Sequence, residues 1–337
     1  MSRAATLIRG DGIGPEITRA TLDVLDALGV RFDWDEQLAG AAAVAKAGTP
    51  LPNATLDSIR RTGLALKGPL TTPVGEGYRS VNVQLRQVFD LYANVRPTRT
   101  LLPGGRYDCV DLVIIRENTE GMYVGFDHTV RVGDDPKAVA EALSIVTREG
   151  CRRICRFAFD YARRHGLKKV TLVHKANILK ATSGLFLETG RQVAEQFPET
   201  VAWDEKIVDN AAMQLVIDPG QFDVIVTTNL FGDILSDLAA GLVGGLGLAP
   251  GANVGAGVAI FEAVHGSAPD IAGKGVANPA ALMLAAAMML DHVDQGDAAA
   301  RLRRAIEAAV VQDGVRTRDL GGHASTAEFA GAVARRV

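Results

Sequence analysis

The sequence predicts an α/β fold with a largely parallel sheet. Two observations carry this. Short apolar runs of strand character alternate with segments of helical apolar spacing along the whole chain, and no Ser/Gly linker, internal repeat or low-complexity stretch interrupts them. A third observation sets the scale: 337 residues suffice for two compact lobes. Any second lobe must be woven into the first rather than tethered to it.

The elements follow in order. Residues 4–8 form a short apolar run of strand type. Residues 14–28 then place Ile17, Leu22, Leu25 and Leu28 at helical spacing, with Pro15 suited to a first turn. Residues 31–38 and 64–67 are strand-like, and the stretch 68–80, rich in Gly, Pro and Thr, is a loop. Residues 110–115 are a buried-strand pattern, and residues 136–165 show a long helical one. Residues 169–174 and 222–227 are further strands, each followed by a helix. The Gly-rich run 241–257 is loop-like, and the C-terminal third is helical.

Composition removes several function classes. Hydrophobic residues at 47% and charged residues at 22% fit a globular protein with a large core. A formal net charge of −3 leaves no basic footprint for nucleic acid. The most apolar stretch, residues 280–290, is bounded by Pro279 and Asp291 and is too short to cross a bilayer. The N-terminal MSRAATLIRGDGIGPE has no signal-peptide pattern, so a cytoplasmic protein is expected. The cysteines, Cys109, Cys151 and Cys155, are odd in number, against a disulfide framework. Cys151 and Cys155 stand one helical turn apart, but no Cys or His lies near them at zinc spacing, so they are expected to be buried thiols.

Four features bear on chemistry. GDGIGPE (residues 10–16) follows a strand and opens a helix, where backbone N–H groups could meet a phosphate or ribose. It is not the G-x-G-x-x-G fingerprint, and a tight-turn glycine loop explains it equally well. Arg86, Arg96 and Arg116 sit in or beside apolar elements. Arginine's fork suits carboxylates, so three of them favour a polyanionic small substrate over surface ion pairs. Asp233 and Asp237, in NLFGDILSDLAAG, are four apart on a helix with apolar and small neighbours. Their repulsion costs a few tenths of a kcal/mol, which a divalent cation would reverse, and oxygen-only ligands suit Mg²⁺ or Mn²⁺. Compensation of the helix dipole accounts for Asp233 and poorly for Asp237. Lys175, in HKANI, follows a buried strand, where a lysine can serve in acid–base work or simply lie on a surface loop.

Taken together the segments GDGIGPE, KGPLTTPVGEGYRSVNVQLRQVFDLYANVRP, IRENTEGMY, HKANI, NLFGDILSDLAAGLVGGLG, HGSAPDIAGKGVANP and TRDLGG cover almost the whole chain. The sequence thereby resembles the β-decarboxylating dehydrogenases, the family of isocitrate, homoisocitrate and 3-isopropylmalate dehydrogenases. The resemblance implies that family's own fold, which is not a Rossmann fold: two interleaved lobes with an open mixed sheet. The larger lobe would comprise residues 1–98 and 248–337 and bind the cofactor. The smaller would comprise residues 99–247, with the dimer interface, the metal aspartates and an arm or clasp near 126–141.

The resemblance also assigns roles. Arg86, Arg96 and Arg116 match the arginines that grip the substrate's carboxylates, and Tyr123 matches the catalytic tyrosine. Lys175 and Asp209 match residues contributed by a neighbouring subunit. Asp209, Asp233 and Asp237 match the metal ligands. Ser80 and Asn82 match the pair that hydrogen-bonds the γ-carboxylate of isocitrate, where isopropylmalate enzymes place apolar residues. Thr72, Asn177, His265, Gly266, Ala268, Asp270, Ile271 and Asn278 fall on the cofactor site. Asp270-Ile271 matches the NAD form of that site, and many NADP enzymes carry Lys-Tyr there. A carboxylate can accept from ribose hydroxyls and repels a 2′-phosphate. The implied protein is an NAD-dependent, Mg²⁺- or Mn²⁺-requiring isocitrate dehydrogenase acting as a dimer of identical chains. A homoisocitrate or isopropylmalate enzyme is one alternative. A non-catalytic regulatory subunit is another, disfavoured because Tyr123, Lys175 and the aspartates are all present.

Overall fold

A computed structural model describes residues 3–73, 77–102, 107, 109–197 and 201–337. The chain opens with β1 (Arg3–Ile8), α1 (Gly14–Ala27), β2 (Phe32–Gln37), α2 (Ala41–Ala47), α3 (Asn53–Thr62), β3 (Leu64–Lys67) and α4 (Val81–Val88). It continues through β4 (Ala93–Arg99), β5 (Asp111–Glu117), β6 (Asp127–Val132), β7 (Asp135–Ala142), α5 (Arg148–Arg164), β8 (Lys169–His174) and α6 (Thr182–Ala194). Next come β9 (Ala202–Ile207), α7 (Val208–Ile217), β10 (Val224–Thr227) and α8 (Asn229–Leu242). It closes with β11 (Pro250–Val254), β12 (Ala259–Ala263), α9 (Ala280–His292), α10 (Gly296–Val311) and α11 (Thr326–Ala334).

Two compact units result. One consists of Met1–Leu91, Arg99–Cys109 and Ala240–Val337, the other of Tyr92–Thr98 and Val110–Ala239. In the first, strands run in the order β2-β1-β3-β12-β11. β1 pairs parallel with β2 and β3, and β12 pairs parallel with β3, whereas β11 and β12 are antiparallel. The expected α/β class and mixed sheet are therefore present. The core here joins Ile8, Ile59, Ala65, Leu85, Val81 and Ile260, so α4 is seated by Val81 and Leu85 with its remaining face free to carry function. α9 is buried on nearly all sides, as its continuous apolar sequence requires.

In the second unit the order is β4-β5-β10-β8-β9. β5, β10, β8 and β9 pair in parallel. β10 reads VIVT and is buried at every position, the pattern of a parallel strand covered on both faces. α5 starts at Thr147, whose side chain accepts the Gly150 N–H at 3.0 Å, and buries Cys151, Ile154, Cys155 and Phe159. Cys151 and Cys155 are thus buried thiols, as expected, and burial pushes the Cys151 thiol up to about 12.

Two expectations fail. Helical spacing over 136–165 is real only from Arg148 onward. Asp135–Ala142 is instead a strand, paired antiparallel with β6 in a two-stranded ribbon that is exposed along its whole length. Its Ala, Lys and Glu favour helix weakly, but a helix there would have had no surface on which to bury its apolar stripe. The Gly-rich run 241–257 contains β11, whose first four residues are buried against β12. Its Pro, Gly and Ala carry no β-branched signal; pairing and close packing override local propensity.

Candidate active site

In the second unit β4, β5, the turn at residues 122–124 and α8 bring together two guanidinium groups, a phenol and two carboxylates. Arg116, near the carboxyl end of β5, is 1% exposed. It donates to Asn229 Oδ1 from Nε at 3.1 Å and from Nη2 at 2.7 Å, and to Asp233 through Nη1. Arg96, on β4 and 7% exposed, donates to Asn94 Oδ1 at 2.6 Å and to Ser236 Oγ at 2.5 Å. Its Nη1 also lies 3.3 Å from Asp233 Oδ1 and 3.4 Å from Asp237 Oδ1. Tyr123 donates its phenol hydrogen to Asp233 Oδ2. α8 can approach the Arg116 stem because position 232 is glycine: a Cβ there would stand 2.5 Å from Arg116 Cγ.

This geometry corrects one argument. The repulsion between Asp233 and Asp237 does not by itself call for a cation, because Arg96 and Arg116 already oppose it. Burial raises the Asp237 carboxyl above its usual range, Arg96 pulls it back, and Asp233 pushes it up again. Burial, followed by the bond to Asp233, likewise raises the Tyr123 phenol, which keeps its proton near neutrality.

Lys175, directly after β8, pairs with Asp209 in the first turn of α7, and this bond holds the Asp209 carboxyl below its usual range. The preceding His174 is buried and accepts the Ala176 N–H on Nδ1 at 3.1 Å, fixing the turn. Asn177 is exposed two residues on. Among the described residues no three His, Cys, Asp or Glu side chains converge as a metal cage. Asp233 and Asp237 stand together on α8, whereas Asp209 is paired with Lys175.

In the first unit Ser80 is the N-cap of α4, its hydroxyl accepting the Val83 N–H at 3.5 Å, with Thr72 Oγ1 3.4 Å from it. Asn82 and Arg86 lie on the helix so started. Asn82 Oδ1 is buried and has no hydrogen-bond partner among the described residues. Arg86 is 8% exposed, with Nη2 3.9 Å from Glu262 Oε1. Glu262 is itself buried, 2.6 Å from Lys67 Nζ and 2.7 Å from Asn253 Nδ2. Sequence reading missed Lys67, Asn229, Ser236 and Glu262. Two of them left a signal: each is the sole charge in an otherwise apolar strand, LALK and AIFEA.

The segment matched to the cofactor follows β12. His265 is mostly buried; burial lowers its imidazole's affinity for a proton, so the ring is neutral. With Nδ1 3.0 Å from Gly266 O and Nε2 buried without a partner, the ring offers a free lone pair to a ligand donor. Ala268 adopts φ +39°, Asp270 is exposed, and Ile271 is half-buried. Asn278 donates to Asp319 Oδ2 at 2.9 Å and accepts from the Ala280 N–H at 2.9 Å, so its amide is held by the protein. An orphaned buried nitrogen at His265 and an exposed carboxylate five residues on at Asp270 suit a dinucleotide's base and ribose. Carboxylate oxygens alone at Asp233 and Asp237 suit a hard divalent cation.

Known proteins bear on this arrangement. The isocitrate/isopropylmalate dehydrogenase family matches residues 4–333. Catalytic subunit 5 of the mitochondrial NAD isocitrate dehydrogenase of Arabidopsis thaliana is 49% identical over 332 residues, covering 98% of this chain and 87% of that one. The chloroplastic 3-isopropylmalate dehydrogenase of Solanum tuberosum is 49% identical over 305 residues, covering 90% and 84%. The crystal structure of isocitrate dehydrogenase from Methylococcus capsulatus superposes with a TM-score of 0.96 at 57% identity, covering 99% of both chains.

Proposed function

Since the chain belongs to the isocitrate/isopropylmalate dehydrogenase family, we propose that it is an NAD-dependent isocitrate dehydrogenase, oxidising isocitrate to 2-oxoglutarate and CO₂. The observation that carries the choice of substrate is the polar pair Ser80 and Asn82, at the N-cap and in the first turn of the helix that bears the buried Arg86. An isopropyl group offers these side chains no hydrogen bond, whereas a third carboxylate can accept from the Ser80 hydroxyl and from the Asn82 amide N–H.

The chain's own groups divide the work. Arg86, Arg96 and Arg116 bind carboxylates, and Ser80 with Asn82 takes the γ-carboxylate. Lys175 of the second copy, by way of the Asp209 carboxylate it pairs with, helps draw off the proton of the 2-hydroxyl as hydride leaves C2 for NAD; the β-keto acid so formed then loses the carboxylate on C3 as CO₂. Tyr123, held protonated, delivers a proton to C3. Asp233 and Asp237, with Asp209 of a second copy, would hold Mg²⁺ or Mn²⁺, which supplies Lewis acidity toward the substrate's oxygens. Thr72, Asn177, His265, Gly266, Ala268, Asp270, Ile271 and Asn278 are assigned to NAD, which supplies the hydride acceptor.

The second copy is part of the proposal. Lys175 and Asp209 form their own pair, apart from the Arg96–Arg116–Asp233 cluster, which fits a site completed by another chain. Ile178, Met213, Ile217 and Ile234 are each more than half exposed on the same unit, as are Phe126 and Val132 by the β6–β7 ribbon. That apolar surface suits burial between subunits. No helix among the described residues is long and apolar enough to cross a membrane. A cytoplasmic location is proposed, in contrast to relatives named as mitochondrial; fractionation of the source cell tests it.

The decisive assay supplies the purified chain with isocitrate, homoisocitrate and 3-isopropylmalate, each with NAD or NADP and Mg²⁺ or Mn²⁺. Isocitrate with NAD should give the highest kcat/KM. A higher value with either other acid, or no turnover by the chain alone, would overturn the assignment.

A further inference from the structure

GDGIGPE resembled a ligand loop in the sequence, yet its two acids face the protein. Asp11 is 6% exposed, and its carboxylate accepts three backbone N–H groups: Thr71 at 2.9 Å, Ala41 at 3.1 Å and Ala42 at 3.1 Å. Its own N–H donates to Pro69 O at 2.7 Å. Thr71, so placed, meets Ser267 hydroxyl to hydroxyl at 2.8 Å. The Ile13 N–H donates to Ser267 O at 2.9 Å. Between Asp11 and Ile13, Gly12 adopts φ +58°, and a Cβ there would lie 2.0 Å from Ser267 O, so the two backbones touch only because the methyl is absent. Further on, in the first turn of α1, Glu16 accepts the Gly275 N–H at 3.3 Å and the Ala277 N–H at 3.2 Å, and Thr326 Oγ1 lies 3.4 Å from the same carboxylate.

The loop after β12 is therefore tied at both ends by one short segment: at Ser267 from Ile13 directly and from Asp11 by way of Thr71, and at 275–277 from Glu16. Ala268, Asp270 and Ile271 lie between the two ties. We propose that GDGIGPE is a brace for the cofactor loop, with Asp11 and Glu16 as positioning residues that set NAD affinity without touching NAD. This rests on the reading of residues 265–278 as the NAD site. A bound ligand needs its loop in one arrangement, and a loop free to sample others binds more weakly in proportion to the time spent elsewhere.

The test uses Asp11→Asn and Glu16→Gln in the full chain. Each keeps the side chain's shape but turns an amide N–H₂ toward backbone donors that now find a carboxylate. Calorimetric titration with NAD should show Kd raised about tenfold. The KM for NAD should rise with it while the KM for isocitrate stays put, and in Glu16→Gln the amides of Gly275 and Ala277 should exchange hydrogen faster. Thr71→Val, which removes only the Ser267 contact, should give a smaller rise in Kd. Unchanged NAD Kd in Glu16→Gln with a merely lower Tm would overturn the brace, and Glu16→Gln decides the matter even if Asp11→Asn does not fold. Asp270→Ala separates the two readings. If it leaves NAD binding intact, the cofactor assignment fails; if it weakens NAD while Glu16→Gln does not, the brace alone fails.

Discussion

The guanidinium of Arg116 lies over the ring of Tyr123, 5.0 Å from its centre, and both side chains donate to the carboxylate of Asp233. The phenol is thus held in place by its ring as well as by its hydroxyl. Tyr123→Phe should keep the stacked ring and isocitrate binding, measured by calorimetry within about threefold. Turnover to 2-oxoglutarate should fall about 10²–10⁴-fold, the usual contribution of a positioned acid. Near wild-type turnover would take Tyr123 out of that role.

Ser80 has two duties that substitution can separate. As N-cap of α4 it is replaceable by Asp, which caps as well as Ser. Ser80→Asp should therefore retain the unfolding midpoint while abolishing isocitrate binding, through repulsion of the γ-carboxylate. Ser80→Ala should lose about 0.5–1 kcal/mol of stability with the cap and bind isocitrate more weakly. Unaltered KM in Ser80→Asp would sink the γ-carboxylate assignment.

Lys175 and Asp233 belong to separate clusters within one chain, so their defects should complement. Lys175→Ala and Asp233→Ala chains, each inactive, should recover part of the activity after mixing and exchange. Absence of recovery, with exchange proven by mass-tagged subunits, would argue for sites complete in one chain.

Glu262 governs a pH window. Burial alone would raise its carboxyl from 4.5, but the Lys67 ammonium and the Arg86 guanidinium outweigh burial and hold it at about 2. The folded chain releases this proton more readily than the unfolded one. Its contribution to stability is complete above about pH 4.5 and is lost as the pH falls toward about 2. Glu262→Gln, which leaves two buried cations facing an amide, should cost about 3–5 kcal/mol near neutrality by urea unfolding. That gap should narrow in acid; a gap independent of pH would contradict the ion pairing.

Much of this was legible because strong local patterns coincide with strong tertiary demands. β3 and β8 match the sequence reading to the residue, since LALK and KVTLVH are apolar runs between clear turns. β7 was not legible, because an exposed ribbon has no buried face to impose an alternating pattern. In the site, residue types and spacing pointed to Arg96, Arg116, Asp233 and Asp237 but not to their mutual bonding. Asn229 and Ser236 were invisible: a polar residue on a helix shows its purpose only when a guanidinium arrives from another strand. GDGIGPE was noticed for its glycines, and its acids' partners lie 30 to 310 residues away.

Gly232 shows how narrowly such a fold can drift over generations. Its neighbours on α8 at Ile234 and Leu230 are exposed and can vary with little penalty within the chain. Position 232 has no such latitude, because even alanine would drive a methyl into the stem of Arg116. The strand and helix would have to part, taking Asn229 and Asp233 away from the guanidinium together. A lineage that loses this glycine thus forfeits the arginine's anchorage in one step, although every functional side chain is still written in its sequence.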